Sequence, residues 1–177
     1  ASDEYIRGFR ELWTAETPTQ MGDFAAFEKL MFAPKPAQGP SLPIWVGGES
    51  KGARRRAARL GDGWYPVSAN PRQPLDTPEL YGTALGDVRA EAEAAGRDPR
   101  SVSGALLAIY SRVGPELEGR DGGRLCFTGS AEAIIDDIGR ARDIGLEHFL
   151  IGGDGGDLQE TGDRLEQFAT EVMTQFD

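Results

Sequence analysis

The segment Pro34–Trp64, PKPAQGPSLPIWVGGESKGARRRAARLGDGW, constrains the fold more than any other part of the chain. Leu42 to Val46 is an apolar run too short for a helix and bounded by Pro43 and Gly47, which reads as a buried strand. Gly47-Gly48 lets the backbone turn sharply or approach a ligand closely. Ser50 then caps a helix whose inward face is Ala53, Ala57 and Leu60, and Gly61 stops it. Asp62-Gly63-Trp64 opens a second strand. A strand that delivers a free helix N-terminus is a natural anion site.

The rest of the chain repeats this alternation. Tyr5, Phe9, Leu12 and Trp13 fall at helical spacing, so residues 1–16 read as an amphipathic leading helix. Residues 17–42 are punctuated by proline and glycine and read as a long loop, of the kind that serves as a lid or binding segment. Residues 43–177 then carry βα units. Strands are expected at Pro43–Val46, Gly63–Val67, Val102–Val113 and His148–Ile151. Thr77 and Pro78 start a helix that stops at Gly96. Ser130 caps another, with Ile134, Ile138 and Ala141 inward and Gly145 at its end. Leu165, Phe168, Ala169, Val172, Met173 and Phe176 share one face of the last helix. Such an alternation predicts a parallel sheet with helices outside it and ligands at the C-terminal strand ends.

The same residues resemble a known family. PKPAQGPSLPIWVGGES followed by ARRRAARLGDGWYP looks like the middle of the bacterial-luciferase-like monooxygenases, (β/α)8 barrels that use reduced FMN or the deazaflavin F420. YIRGFRELW resembles the helix before this stretch, TPELYGTALGDVRAEAEAAGRDP the helix after it, and FTGSAEAIIDDIGRARDIGLEHFLI the last helix-strand step. The resemblance covers nearly the whole chain, and its ordered series of motifs is more specific than any single one. A full barrel takes about 250 residues and eight strands. This chain has 177 residues and about four expected strands, so the expected fold class is α/β, the C-terminal half of a (β/α)8 TIM-type barrel with flanking helices.

The leading site candidate is Gly47, Gly48, Glu49, Ser50 and Lys51. Read without the family, the glycines form a tight strand-to-helix turn and Ser50 is only a cap. The resemblance implies more: the backbone N–H groups of Glu49 and Ser50 and the Ser50 hydroxyl hold the cofactor phosphate, and Lys51 adds positive charge. Ser68, Asn70 and Arg112 fall at the expected top rim, which in the family faces substrate. Surface polarity explains the first two equally well, and an ion pair with Glu116 or Glu118 explains Arg112. Arg54, Arg55, Arg56 and Arg59 read as a solvated face whose charges suit the negative end of the helix dipole. His148 opens the last strand at the bottom face, away from any chemistry. Asp62-Gly63-Trp64 lies at that face too and reads as structural. Gly152-Gly153-Asp154-Gly155-Gly156 is a flexible loop by default and a second anion cradle as the alternative. Cys126 reads as a small buried hydrophobe.

Several classes are disfavoured. One cysteine and one histidine leave no metal signature, and neither a G-x-S-x-G nor a Walker-type loop occurs. A net charge of -10 argues against a general nucleic-acid or membrane surface. No apolar run reaches membrane-spanning length, the first residues do not form a signal peptide, and a lone cysteine suits the cytoplasm. The resemblance therefore implies a flavin- or F420-dependent oxidoreductase acting on a small organic substrate, by hydride transfer or by flavin-mediated monooxygenation. The excess of arginine over lysine tilts the cofactor expectation toward F420. No catalytic residue is assigned, because the family's proton-handling residues lie mostly in the absent half, and the segment alone is expected to be inactive. The alternative is a non-catalytic flavin-binding or scaffold protein related to the luciferases; an unrelated α/β fold sharing only the strand-GG-helix unit is a third. A half-barrel exposes two sheet edges, so a homo-oligomer or a retained N-terminal half-barrel is the expected partner.

Overall fold

A four-stranded parallel sheet, ordered β1-β2-β3-β6, forms the centre of the molecule. The computed structural model describes residues 1–153 and 155–176. The elements run α1 (Ser2–Thr14), β1 (Trp45–Gly47), α2 (Lys51–Leu60), β2 (Gly63–Tyr65), α3 (Pro78–Ala94), β3 (Ser103–Ala108), β4 (Arg112–Val113), β5 (Thr128–Gly129), α4 (Ala131–Asp143), β6 (His148–Ile151) and α5 (Leu158–Glu171). Trp45 pairs with Gly63, Gly63 with Ser103, and Ala105 with His148, all in parallel. This is the α/β arrangement expected from the sequence.

The helices start where short polar side chains can cap them. Ser50, Thr77 and Ser130 accept from the N–H groups of Ala53, Leu80 and Ala133, and Asp157 does the same for Glu160. Each cap satisfies a donor the helix itself cannot, typically contributing about 1 kcal/mol. Side chains alternate across the sheet. Val46, Trp64, Leu106 and Phe149 belong to the core built against the helices, with Tyr81, Val88, Ile134, Ile138 and Phe168. On the opposite face Trp45 packs against Tyr65 and His148, with ring centroids 6.0 and 4.6 Å apart. Its ring lies across Gly63, where an added Cβ would come within 2.7 Å of it. That face remains open: Trp45 and His148 are exposed.

The structure corrects three expectations and adds one strand. The strand expected over Val102–Val113 is two strands. Its pairing with β6 ends at Ala108 opposite Ile151, the chain turns with Ser111 N–H bonded to the Ala108 carbonyl, and β4 leaves to pair with β5. β5 is not among the expected strands, because two residues give no period. The strand expected over Gly63–Val67 ends at Tyr65, with only a bridge from Val67 to Leu107 beyond it. Finally, α1 is helical but turns its aromatic face outward: Tyr5 and Phe9 are 48% and 47% exposed while Ile6 and Gly8 are buried. Polar contacts set that rotation. Arg56 pairs with Asp3, and Arg10 pairs with Asp62 while donating to the Leu42 carbonyl.

Candidate functional site

The turn after β1 is held by a residue of β2 and by residues that follow it. Gly48 has φ +99°, a conformation that excludes side chains other than with strain. Its carbonyl accepts from Trp64 Nε1 at 2.9 Å. Glu49 is buried to 7% exposure, and its carboxylate accepts from Val67 N–H at 2.7 Å and from Asn70 Nδ2 at 2.6 Å. The motifs GGES and GDGW thus belong to one device: the second strand delivers the indole and the amides that fix the first strand's turn. Asp62 does the matching work at the strands' other end, accepting from Ile44 N–H and from Arg10.

With its turn fixed, α2 presents an open first turn. Ser50 Oγ already accepts from Ala53 N–H at 3.2 Å, which leaves the hydroxyl proton free to donate outward. The N–H groups of Lys51 and Gly52 have no partner among the described residues. Ser50, Lys51 and Gly52 are exposed, and a Cβ added at Gly52 would meet no atom within 4 Å. A tetrahedral anion fits this donor set: two backbone N–H groups, one hydroxyl, one ammonium and the positive helix end. Gly52 is the residue that sequence reasoning missed; the signal was a glycine at the second helical position, where it weakens the helix but leaves the backbone bare.

The other candidates fare differently. Asn70 lies beside the turn, and its amide is tied to the chain at both ends, donating to Glu49 and accepting from Arg72 N–H at 3.0 Å. Ser68 is buried beyond β2, its backbone bonded to Leu107 and Leu75, and its hydroxyl makes no hydrogen bond among the described residues. Arg112 is not brought together with these. It lines a cleft of about 380 Å³ with Val113, Pro115 and residues of α5, and among the described residues it forms no ion pair with Glu116 or Glu118 and has a buried Nε without a partner. His148 lies at the bottom of the sheet against Trp45. Of the glycine loop before α5, Asp154 lies outside the described residues. The N–H groups of Gly155 and Gly156 are already bonded to Thr161 and Glu160.

The arginine reading needs correction. α2 ends at Leu60, so only Arg59 lies in its last turn, and no acidic residue occupies its first. Lys51 stands in its first turn, where the dipole disfavours cations, and Arg54 and Arg55 follow it in the N-terminal half rather than near the negative end. Arg54, Arg56 and Arg59 are also paired with Asp87, Asp3 and Glu91, so they tie α2 to its neighbours rather than only facing water.

Away from the turn, Asp137 is fully buried and organises the segment between β4 and α4. It accepts from both terminal nitrogens of Arg124, at 2.8 and 3.0 Å, and from Phe127 N–H at 2.7 Å. Burial, reinforced by the Asp137 charge, pushes the neighbouring Cys126 thiol up to about 11 from an ordinary value of 9.0. At pH 8 the reactive thiolate is then about a hundredfold scarcer than for an ordinary cysteine. Alkylation of the folded chain by iodoacetamide should be slower than that of the urea-unfolded chain by a similar factor; equal rates would contradict this.

Among the described residues no cluster of three or more His, Cys, Asp or Glu could hold a metal ion, and no helix is long and apolar enough to cross a membrane.

Known proteins are similar to this chain in sequence and in fold. Residues 1–113 match the profile of the luciferase-like monooxygenases. An FMNH(2)-dependent dimethylsulfone monooxygenase from Pseudomonas putida is 31% identical over 144 residues, covering 73% of this chain and 38% of that protein. An F420-dependent glucose-6-phosphate dehydrogenase from Nakamurella multipartita is 33% identical over 95 residues, covering 53% of this chain and 26% of its own length. Among solved structures, an F420-dependent secondary alcohol dehydrogenase superposes with a TM-score of 0.71 at 20% identity, covering 97% of this chain and 61% of that one. The F420-dependent tetrahydromethanopterin reductase of Methanopyrus kandleri gives 0.75 at 12% identity, covering 99% and 64%. The chain therefore shares the fold of TIM-barrel enzymes and spans less than two thirds of the length of each of these proteins.

Proposed function

Because the chain belongs to the luciferase-like monooxygenase family, we propose that it forms the phosphate-holding side of an FMN- or F420-dependent oxidoreductase acting on a small organic substrate. The observation that carries the proposal is the open first turn of α2, whose Lys51 and Gly52 N–H groups lack partners among the described residues, beside the Ser50 hydroxyl. Gly47 and Gly48 let the backbone enter this turn, Glu49 holds it through Val67 and Asn70, and Lys51 contributes charge. Bound there, the cofactor would supply hydride-transfer or oxygen-activating chemistry, which the protein orients.

Ser68 carries the substrate-facing role on this side, since its hydroxyl is uncommitted. Asn70 is a positioning residue, acting through Glu49. Arg112 would meet substrate only from a separate cleft. No residue of this chain is assigned proton transfer, and the chain by itself is expected not to turn over. Both cofactors remain in the proposal: relatives with FMNH(2) and with F420 in their names match at similar identity.

The test is cofactor binding by the purified chain and by Gly52→Asp. An aspartate at the second helical position stabilises a helix N-terminus and meets no neighbour, but places a negative charge where the phosphate belongs. Wild type should bind FMN or F420, read from visible absorption on titration. The variant should bind more than about tenfold more weakly while melting no lower. Wild type that binds neither cofactor would overturn the proposal. Unchanged affinity in the variant would move the phosphate elsewhere, and robust turnover by the chain alone would overturn its inactivity. Binding without turnover in any complete assembly would favour the non-catalytic flavin-binding reading.

A further inference from the structure

We infer that the cavity enclosed by α4, β6 and α5 binds a medium-chain aliphatic carboxylate, with its hydrocarbon inside and its charged end at Arg142. The cavity has a volume of about 380 Å³, and Ile138, Phe149, Ile151, Phe168, Val172 and Phe176 form its apolar wall. It lies at the β6 edge of the sheet, whereas the open turn of α2 follows β1 at the other edge. The two sites are therefore separate, and each stands or falls without the other.

Three observations define the occupant. The first is the void itself. Protein interiors pack densely and leave few spaces larger than a water molecule. Here Phe149, Ile151 and Phe176 pack against the core yet stay only half-buried. Phe149 is fixed between Phe127 and Phe168, with ring centroids 5.0 and 6.4 Å away, so the wall is preformed. Bare apolar walls forfeit contacts that a hydrocarbon restores. The second is size. At about 30 Å³ for a group as large as a water molecule, the cavity holds about twelve heavy atoms, an acid of about eight to ten carbons. The third is charge. Arg142 and Glu147 are the charged residues of the lining, and Glu147 is paired with Arg89 at 3.1 Å. The Arg142 guanidinium lies over the Phe176 ring, 6.0 Å from its centroid. Its ion pair with the adjacent Asp143, at 3.5 Å, joins side chains that are 63% and 75% exposed. Such a pair is worth little and gives way to a carboxylate whose chain is buried beside it.

The test titrates hexanoate, octanoate and decanoate, each below its micelle-forming concentration, into the purified chain. Methyl NMR gives the location and calorimetry the affinity. Shifts should centre on Ile138 and Ile151, and affinity should rise about three- to fourfold per added methylene until the cavity is full. Arg142→Gln, an exposed change, should weaken octanoate about fivefold and leave octanol within about twofold of wild type. Ile138→Phe fills part of the cavity and should abolish the octanoate shift at Ile151; should that variant not fold, Arg142→Gln decides alone. No shift at the wall in wild type, or an affinity independent of chain length, would overturn the proposal. Equal weakening of octanoate and octanol by Arg142→Gln would overturn it as a carboxylate site. A concentration-dependent dimer that covers these methyls and that octanoate does not dissociate would give the cavity to a second copy of the chain, and would overturn it too.

Discussion

Asp137→Ala should lower the unfolding free energy by about 3–5 kcal/mol, a large part of what a domain of this size possesses. The residue is fully buried yet fully used: Arg124 binds it through both terminal nitrogens, and Phe127 N–H, itself buried, has no other acceptor among the described residues. Removing the carboxylate strands that N–H and leaves Arg124 facing a cavity. Arg124 is 24% exposed and can reach water, which places the expected loss toward the lower end of the range. Asp137→Asn separates the two contributions. An amide oxygen can still accept from Phe127, so this variant should lose less, about 1–3 kcal/mol. Urea unfolding followed by circular dichroism gives both values. Equal losses would mean that charge rather than the backbone bond dominates, and a loss under about 1 kcal/mol for the alanine variant would contradict the role given to Asp137.

Trp64→Ala should be comparably severe, about 3–5 kcal/mol, because the side chain is completely buried and stacked at 5.9 Å on Tyr81. Trp64→Phe is the more informative change. It keeps a ring against Tyr81 but removes the Nε1 donor to the Gly48 carbonyl, and should cost about 1–2 kcal/mol. Its second effect should appear at the site. Gly48 at φ +99° is held by that bond, so the open turn of α2 loses its alignment and cofactor binding should weaken severalfold. A phenylalanine variant as stable as wild type, with the same cofactor affinity, would show that the indole N–H does not position the turn.

Much of the fold was legible because it depends on local chemistry. Ser50, Thr77 and Ser130 announce helix starts by being able to bond the backbone three residues on. Ile134, Ile138 and Ala141 announce a buried face by their spacing and are buried as expected. The aromatic face of α1 shows where spacing stops helping. Tyr5 and Phe9 repeat like a core face, but the rotation of α1 is set by Asp3 meeting Arg56 and Arg10 meeting Asp62, across more than fifty residues of sequence. The break in the expected Val102–Val113 strand is similar, since it falls where β6 runs out.

The sequence by itself determined the βα alternation, the parallel sheet and the strand-glycine-helix turn, because capping, period and glycine placement act over a few residues. The tertiary structure decided how that turn is held. Only folding brings the Trp64 indole to the Gly48 carbonyl and the Asn70 amide to the Glu49 carboxylate. Only folding, too, gathers Ile138, Phe149 and Phe168 around one cavity. Those contacts join residues on different strands and helices, and no local preference of the chain encodes which of them will meet.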